Sequence, residues 1–333
     1  MRSFSKPAID VPAQLGLLKR RGLIIHNEAR AEHFLQSVSF FRLSPYMRPF
    51  QQPDAIDHLF REGSQFRQLT RLYDFDRRLR LLTMDAIERV EIASRSVISN
   101  HMGPAHGSHW YLNPGLFHLK FDHQRLLATL SMKQASATRD YQRECERIDR
   151  SHASDARKDL LKRQRAKESY ARHYSVTYVQ PALMPGWAML EELTLGDLSH
   201  LYKGLAKDAD KKAISRRLLL PAPLMQSWLH TLTTVRNICA HHSRMWNREL
   251  GIRPELPKKA SFPWPQYLLQ PGTHSRMFST LCILNHLMGQ VSPHTRWGHS
   301  LHLLIDEFPD VRIEAMGFPQ DWYLDPFWHA HDY

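Results

Sequence analysis

Cysteine is scarce in this chain: Cys145, Cys239 and Cys282 are the only three in 333 residues. They are odd in number and far apart, so neither a disulfide framework nor a Cys-x-x-Cys zinc pair can be built from them. Long apolar runs are also missing. The start, MRSFSKPAID, lacks a signal-peptide core, and the longest apolar stretch, near Phe278 to Met288, is too short to span a bilayer. Strand-like alternation is rare, no repeat recurs and no low-complexity linker divides the chain. These absences leave an all-α protein, cytoplasmic and without a membrane partner, as the expectation.

Negative charge is the scarcer sign. Lys and Arg number 45 against 33 Asp and Glu, a net charge of +12 and a pI of about 9.7. Such a balance favours an anionic partner. Nucleic acid fits better than a membrane surface, because the basic residues are spread along the chain.

The helical reading follows from periodicity and punctuation. Residues 1 to 10 read as an extended arm. Val11 to Arg21 reads as a short helix stopped by Gly22, and a second helix capped by Asn27 runs to Val38. With SFFRLSPYMRPF (39 to 50), these form either a nucleic-acid reader or two packing helices, and packing is favoured. Phe66 to Met102 carries the longest three- and four-residue apolar pattern, with Gly103 and Pro104 expected to end it. On it, Glu91 and Arg95 form an ordinary i, i+4 ion pair by default. His101, His106 and His109 are close in sequence, but no carboxylate or cysteine accompanies them at ligand spacing, so no metal and no cofactor is expected. Leu116 to Leu130 and Ala135 to Tyr170 read as helices, the second densely charged. Trp187 to Leu193, read with Trp187 in the core, Leu195 to Leu205 and Asp208 to Leu220 follow. Past Arg248 comes a proline-rich stretch that includes Pro263, then helices over Ser275 to Met288 and Thr295 to Phe308.

The chemistry concentrates in Trp228 to Arg248, WLHTLTTVRNICAHHSRMWNR. The stretch has no Gly or Pro, so one helix is expected throughout. At about 100° per residue, Met225, Trp228, Leu232, Val235, Cys239 and Trp246 form an apolar stripe. Asn237, His241, Arg244 and Arg248 fall opposite, with Arg236 at the edge. Arginine matches phosphate oxygens with a planar, permanently charged fork. Histidine is the side chain best suited to proton transfer near neutral pH. A polar face of this kind suits a site completed by a second surface.

The Arg236-Asn237-x3-His241 spacing resembles the Arg-polar-x3-His signature of HEPN-superfamily ribonucleases. The longer string RNICAHHSRMWNR resembles the Abi-like group of that superfamily (AbiD/AbiF type, phage abortive infection). GLLKRRGLII, FFRLSPYMRPF, LYDFDRRLRLL with IERVEIASR, the block from His173 to Leu205, and the tail MGFPQDWYLDPFW are similar to the same group. The resemblance implies a HEPN-like helical bundle over 61–250, with a charged helical insertion at about 130–172. A helical extension over 1–60 and a carboxy-terminal helical and aromatic part over 251–333 would flank it.

The same resemblance implies a metal-independent endoribonuclease toxin that works as a homodimer in phage defence. Catalysis would rest on Arg236, Asn237 and His241. Glu91 would steady Arg236, and His242 and Arg244 would support binding. Arg42, Arg48, Arg95 and Arg248 are the further candidates for RNA contact. Restraint by a protein antitoxin, a noncoding RNA or autoinhibition is an expected accompaniment. Two other readings stay open: a HEPN-like module that binds RNA without cutting it, and a dimeric interaction protein in phage defence.

Overall fold

Apolar residues at three- and four-residue steps from Phe66 onward build the element that most others pack against. The structure, a computed structural model, describes residues 3, 7–53, 57–257, 264–269 and 275–329. Part of the expected amino-terminal arm, and Pro263, lie outside the described residues. Among those described are thirteen α-helices and no strand, so the chain is all-α.

Helix α4, Phe66–His106, is 41 residues long and buries Leu69, Leu72, Phe75, Leu79, Ala86, Val90 and Ile98. Gly103 and Pro104 do not end it as expected. Pro104 lacks an N–H and so leaves the Asn100 carbonyl without its helical donor, yet the helix runs two residues past it. The helix closes at Gly107, whose φ of 90° is open to a residue without a Cβ.

Three helices precede it: α1 (Val11–Arg20), α2 (Glu28–Val38) and α3 (Phe40–Met47). Asp10 and Asn27 cap the first two. Only Ser39 separates α2 from α3, and α3 buries Leu43, Tyr46 and Met47 while packing on α4. Helix α1 packs on α2 as well.

After α4 the charged segment is divided differently from the expectation. Helix α5 runs unbroken over His123–Asp149, followed by α6 (Asp155–Lys167) and α7 (Tyr170–Thr177). Nothing between Leu130 and Ala135 breaks a helix; the break falls at Arg150 to Ser154. The three helices pack on one another. Much of their charge is paired, including Lys162–Asp149 at 2.7 Å and Arg172–Glu144 at 3.0 Å.

The remaining helices close around α4: α8 (Gly186–Glu192), α9 (Leu195–Gly204), α10 (Asp208–Arg216), α11 (Ala222–Ala240), α12 (Met277–Val291) and α13 (Trp297–Glu307). In α8 the buried residues are Gly186, Ala188, Met189 and Leu190, which turns Trp187 outward, 51% exposed, not into the core. Helix α12 buries thirteen of its fifteen residues and so is enclosed on all sides, with Ser279, Thr280, Asn285 and His286 as the polar residues among them. No helix among the described residues is long and apolar enough to cross a membrane. The tail packs Trp322 and Trp328 against Phe278, and Phe327 against Trp264.

Candidate functional site

The motif helix α11 starts after Pro221 and buries Met225, Trp228, Leu232, Val235 and Cys239, as the stripe predicted. Burial pushes the Cys239 thiol up to about 12, so it serves as a small apolar group and not a nucleophile. Trp228 also donates its indole N–H to the Glu255 carbonyl at 2.8 Å, which fixes the helix azimuthally.

The helix stops at Ala240, eight residues before the expected end at Arg248. His242 is left-handed, with φ 54°. Its N–H bonds the Cys239 carbonyl at 3.0 Å, and the Ser243 N–H reaches back to Ile238 at 2.9 Å. This pair is a Schellman ending built on histidine in place of the usual glycine. Without glycine at that place, the sequence carried no stop signal.

What holds the chain in this turn is a carboxylate that sequence reasoning overlooked. Asp76 of α4 is fully buried. Its Oδ1 accepts the N–H of Met245 at 3.1 Å and of Trp246 at 2.5 Å, and its Oδ2 accepts the Tyr46 hydroxyl at 2.5 Å. Arg80, one turn further along α4, pairs with the same Oδ2 and reaches the Ser243 carbonyl at 3.4 Å. Burial pushes the Asp76 carboxyl above its usual range, against the opposing pull of Arg80 and the donors. Burial and the Asp76 carboxylate likewise raise the Tyr46 phenol. Trp246, off the helix, is still buried, and donates its indole N–H to Arg312 at 3.1 Å. The i+4 spacing of Asp76 and Arg80 was the one available signal, and it looks like any surface ion pair.

The termination changes the geometry of the predicted face. Asn237 remains on the last helical turn and is exposed; His241 is the capping residue and is exposed; Arg236 is half-buried beside them. No hydrogen bond or ion pair within the described residues engages the side chains of these three. Arg244 and Arg248 do not continue a helical stripe. They sit in the following loop, where Arg244 donates to the Pro45 carbonyl at 3.4 Å and Arg248 to the Arg244 carbonyl at 3.3 Å. Arg42 of α3 donates to the His242 carbonyl at 2.7 Å. Burial holds the Arg244 guanidinium below its ordinary value, and the nearby positive charges of Arg48 and Arg248 act in the same direction.

The fold thus brings Arg42, Arg48, Arg244 and Arg248 together around the motif loop. It does not bring Arg95 there, nor does it join Glu91 to Arg236. Glu91 pairs with Arg95 at 2.6 Å, and Arg95 also donates to the Leu193 carbonyl at 2.9 Å. The default i, i+4 pair accounts for both residues. His242 contributes its backbone conformation and its carbonyl.

A cavity of about 600 Å³, which sequence reasoning did not foresee, flanks the earlier part of α11. Its lining includes Arg125, His200, Lys203, Gln226, His230 and Thr233. Gln226, His230 and Thr233 precede Asn237 at three- and four-residue steps, so the cavity and the motif end lie along one face of α11.

Comparison with known proteins finds a family match. The family model described as Abi-like protein matches residues 33–247, from within α2 to the motif loop. The lead GLLKRRGLII and the aromatic tail lie outside the matched span. No curated protein and no solved structure matches the chain.

Proposed function

The chain belongs to the Abi-like protein family, which implies a part in abortive infection, and from that premise we propose that it is a metal-independent endoribonuclease. The observation that carries the reading is the end of α11. Arg236, Asn237 and His241 are gathered on two consecutive turns, with Asn237 and His241 open to solvent and their side chains unengaged. Asp76 locks the loop behind them, and four further arginines surround it.

RNA brings its own nucleophile to such a site. The 2′-hydroxyl attacks the adjacent phosphorus, its proton leaves to a base, and the 5′-oxygen departs with a proton from an acid. Arg236 stabilises the charge on the non-bridging oxygens, the kind of electrostatic contribution that dominates many reactions. His241 moves the proton, a contribution of about 10²–10⁴-fold. Asn237 orients the phosphate. One chain supplies one such histidine, so a homodimer that joins two motif ends offers both an acid and a base. Arg42, Arg48, Arg244 and Arg248 hold the flanking phosphates, and the α11 face leading to the cavity gives the strand a path. A toxic activity of this kind needs restraint, by a protein antitoxin or by an RNA held on the same basic surface.

The test is cleavage of end-labelled RNA in EDTA by wild type, Arg236→Ala and His241→Ala. The expected result is cleavage by wild type alone, leaving 2′,3′-cyclic phosphate and 5′-hydroxyl ends, with a DNA strand of the same sequence untouched. Tight RNA binding without cleavage would replace this reading with that of a binding module. Loss of dimerisation in Arg236→Ala, with no nuclease activity in wild type, would favour an interaction protein.

A further inference from the structure

The far end of α4 holds a second group of chemically capable side chains, unrelated to the motif. His101 and His106 lie in its last turns, and Asp210 comes from α10, more than a hundred residues later. The His101 Nε2 lies 2.8 Å from Asp210 Oδ1, and the His106 Nε2 lies 3.0 Å from Oδ2. The three candidate ligand atoms are all within 4.8 Å of one another. The side chains are 26%, 15% and 11% exposed, shielded from bulk water but still reachable by it. The sequence argued against a metal here because no carboxylate stood at ligand spacing. The fold supplies that carboxylate.

We propose that His101, His106 and Asp210 form a binding site for one divalent first-row transition ion of the zinc type. Two imidazoles and one carboxylate are a known zinc ligand set, with remaining positions left to water. In a tetrahedral site, ligand bonds of about 2.0–2.2 Å place neighbouring donor atoms roughly 3.3–3.6 Å apart. The two His–Asp separations, 2.8 and 3.0 Å, are shorter than that by roughly 0.3–0.8 Å, so a spreading of the side chains by that amount admits the ion. To bind, each Nε2 presents its lone pair: a neutral ring moves its proton to Nδ1, and a protonated ring releases one to solvent. The carboxy-terminal end of α4 adds a favourable negative potential for a cation.

The ion's effect follows from what it joins. Helix α10 packs on both α4 and α11 and leads directly into α11. A metal at this point clamps α10 to α4 and so steadies the entry of the motif helix. The site shares no residue with the proposed ribonuclease centre, and neither proposal depends on the other.

The test uses the full chain, stripped with EDTA, desalted and titrated with Co²⁺ and then Zn²⁺. Wild type should take up one Co²⁺ with a visible ligand-field band that Zn²⁺ abolishes, and its melting temperature should rise. Asp210→Asn and His106→Gln, each checked for helical content by circular dichroism, should bind at least about tenfold more weakly. His109→Gln, a neighbouring histidine outside the group, should bind as wild type does. Absence of a band in wild type would overturn the proposal without recourse to any variant. A band equally strong in Asp210→Asn and His106→Gln would assign the ion to other histidines and leave the group as a hydrogen-bonded clamp.

Discussion

Two buried aspartates bracket the motif helix, and they do opposite things. Asp76 lies after it in space: a residue of α4 that captures the loop leaving α11. Asp210 lies before it: a residue of α10 that is captured by two histidines of α4. Burial favours the neutral form of both. At Asp76 it prevails, and the carboxyl is held above its usual range. At Asp210 burial also pushes upward, but the hydrogen bonds from His101 and His106 outweigh it and hold the carboxyl below that range. The difference teaches what each anchor is made for. The first is a dry, fully occupied acceptor that defines one backbone conformation. The second is a partly wet cluster with spare coordinating capacity.

The sharpest way to break the comparison is Asp76→Ala. It strands two backbone N–H groups, the Tyr46 hydroxyl and the Arg80 guanidinium in the interior. A loss of about 3–5 kcal/mol is expected, read as a lower midpoint in urea, with RNA cleavage lost because the loop behind His241 is released. An Asp76→Ala protein as stable as wild type would remove Asp76 from its assigned role.

Asp210→Asn should cost less, about 1–2 kcal/mol at neutral pH, since the amide keeps an acceptor. Its pH dependence has a definite sign. A lowered folded-state pKa means stabilisation that is present above the unfolded value, about 3.9, and lost as pH falls through the folded one. Melting curves of wild type and Asp210→Asn should therefore converge in acid.

The smallest effect belongs to Glu91→Gln. Arg95 keeps the Leu193 carbonyl and Glu191, so a change of about 1 kcal/mol or less is expected, with cleavage unaltered. A large loss of cleavage in a stable Glu91→Gln protein would instead tie Glu91 to Arg236, as the resemblance implied.

Much of the architecture was legible before the fold was known. The apolar stripe of α11, the span of α4 up to its last turn, the cap at Asn27 and the pair α1 and α2 all follow from local pattern. Helix α11 was read through to Arg248 because neither His241 nor His242 is a helix breaker. A left-handed histidine holds only when distant groups accept the strain, and those groups are on α3 and α4.

Local pattern alone specified an all-α chain with a buried motif helix carrying an arginine, an asparagine and a histidine, because helical periodicity and residue chemistry are local properties. Only the tertiary structure decided where that helix stops, which arginines surround it, and that Asp76 and Asp210 would meet their partners. Those outcomes depend on contacts between residues up to 200 positions apart, and the free energy of such a contact is set by burial and by the groups it satisfies, neither of which is written in the neighbouring residues.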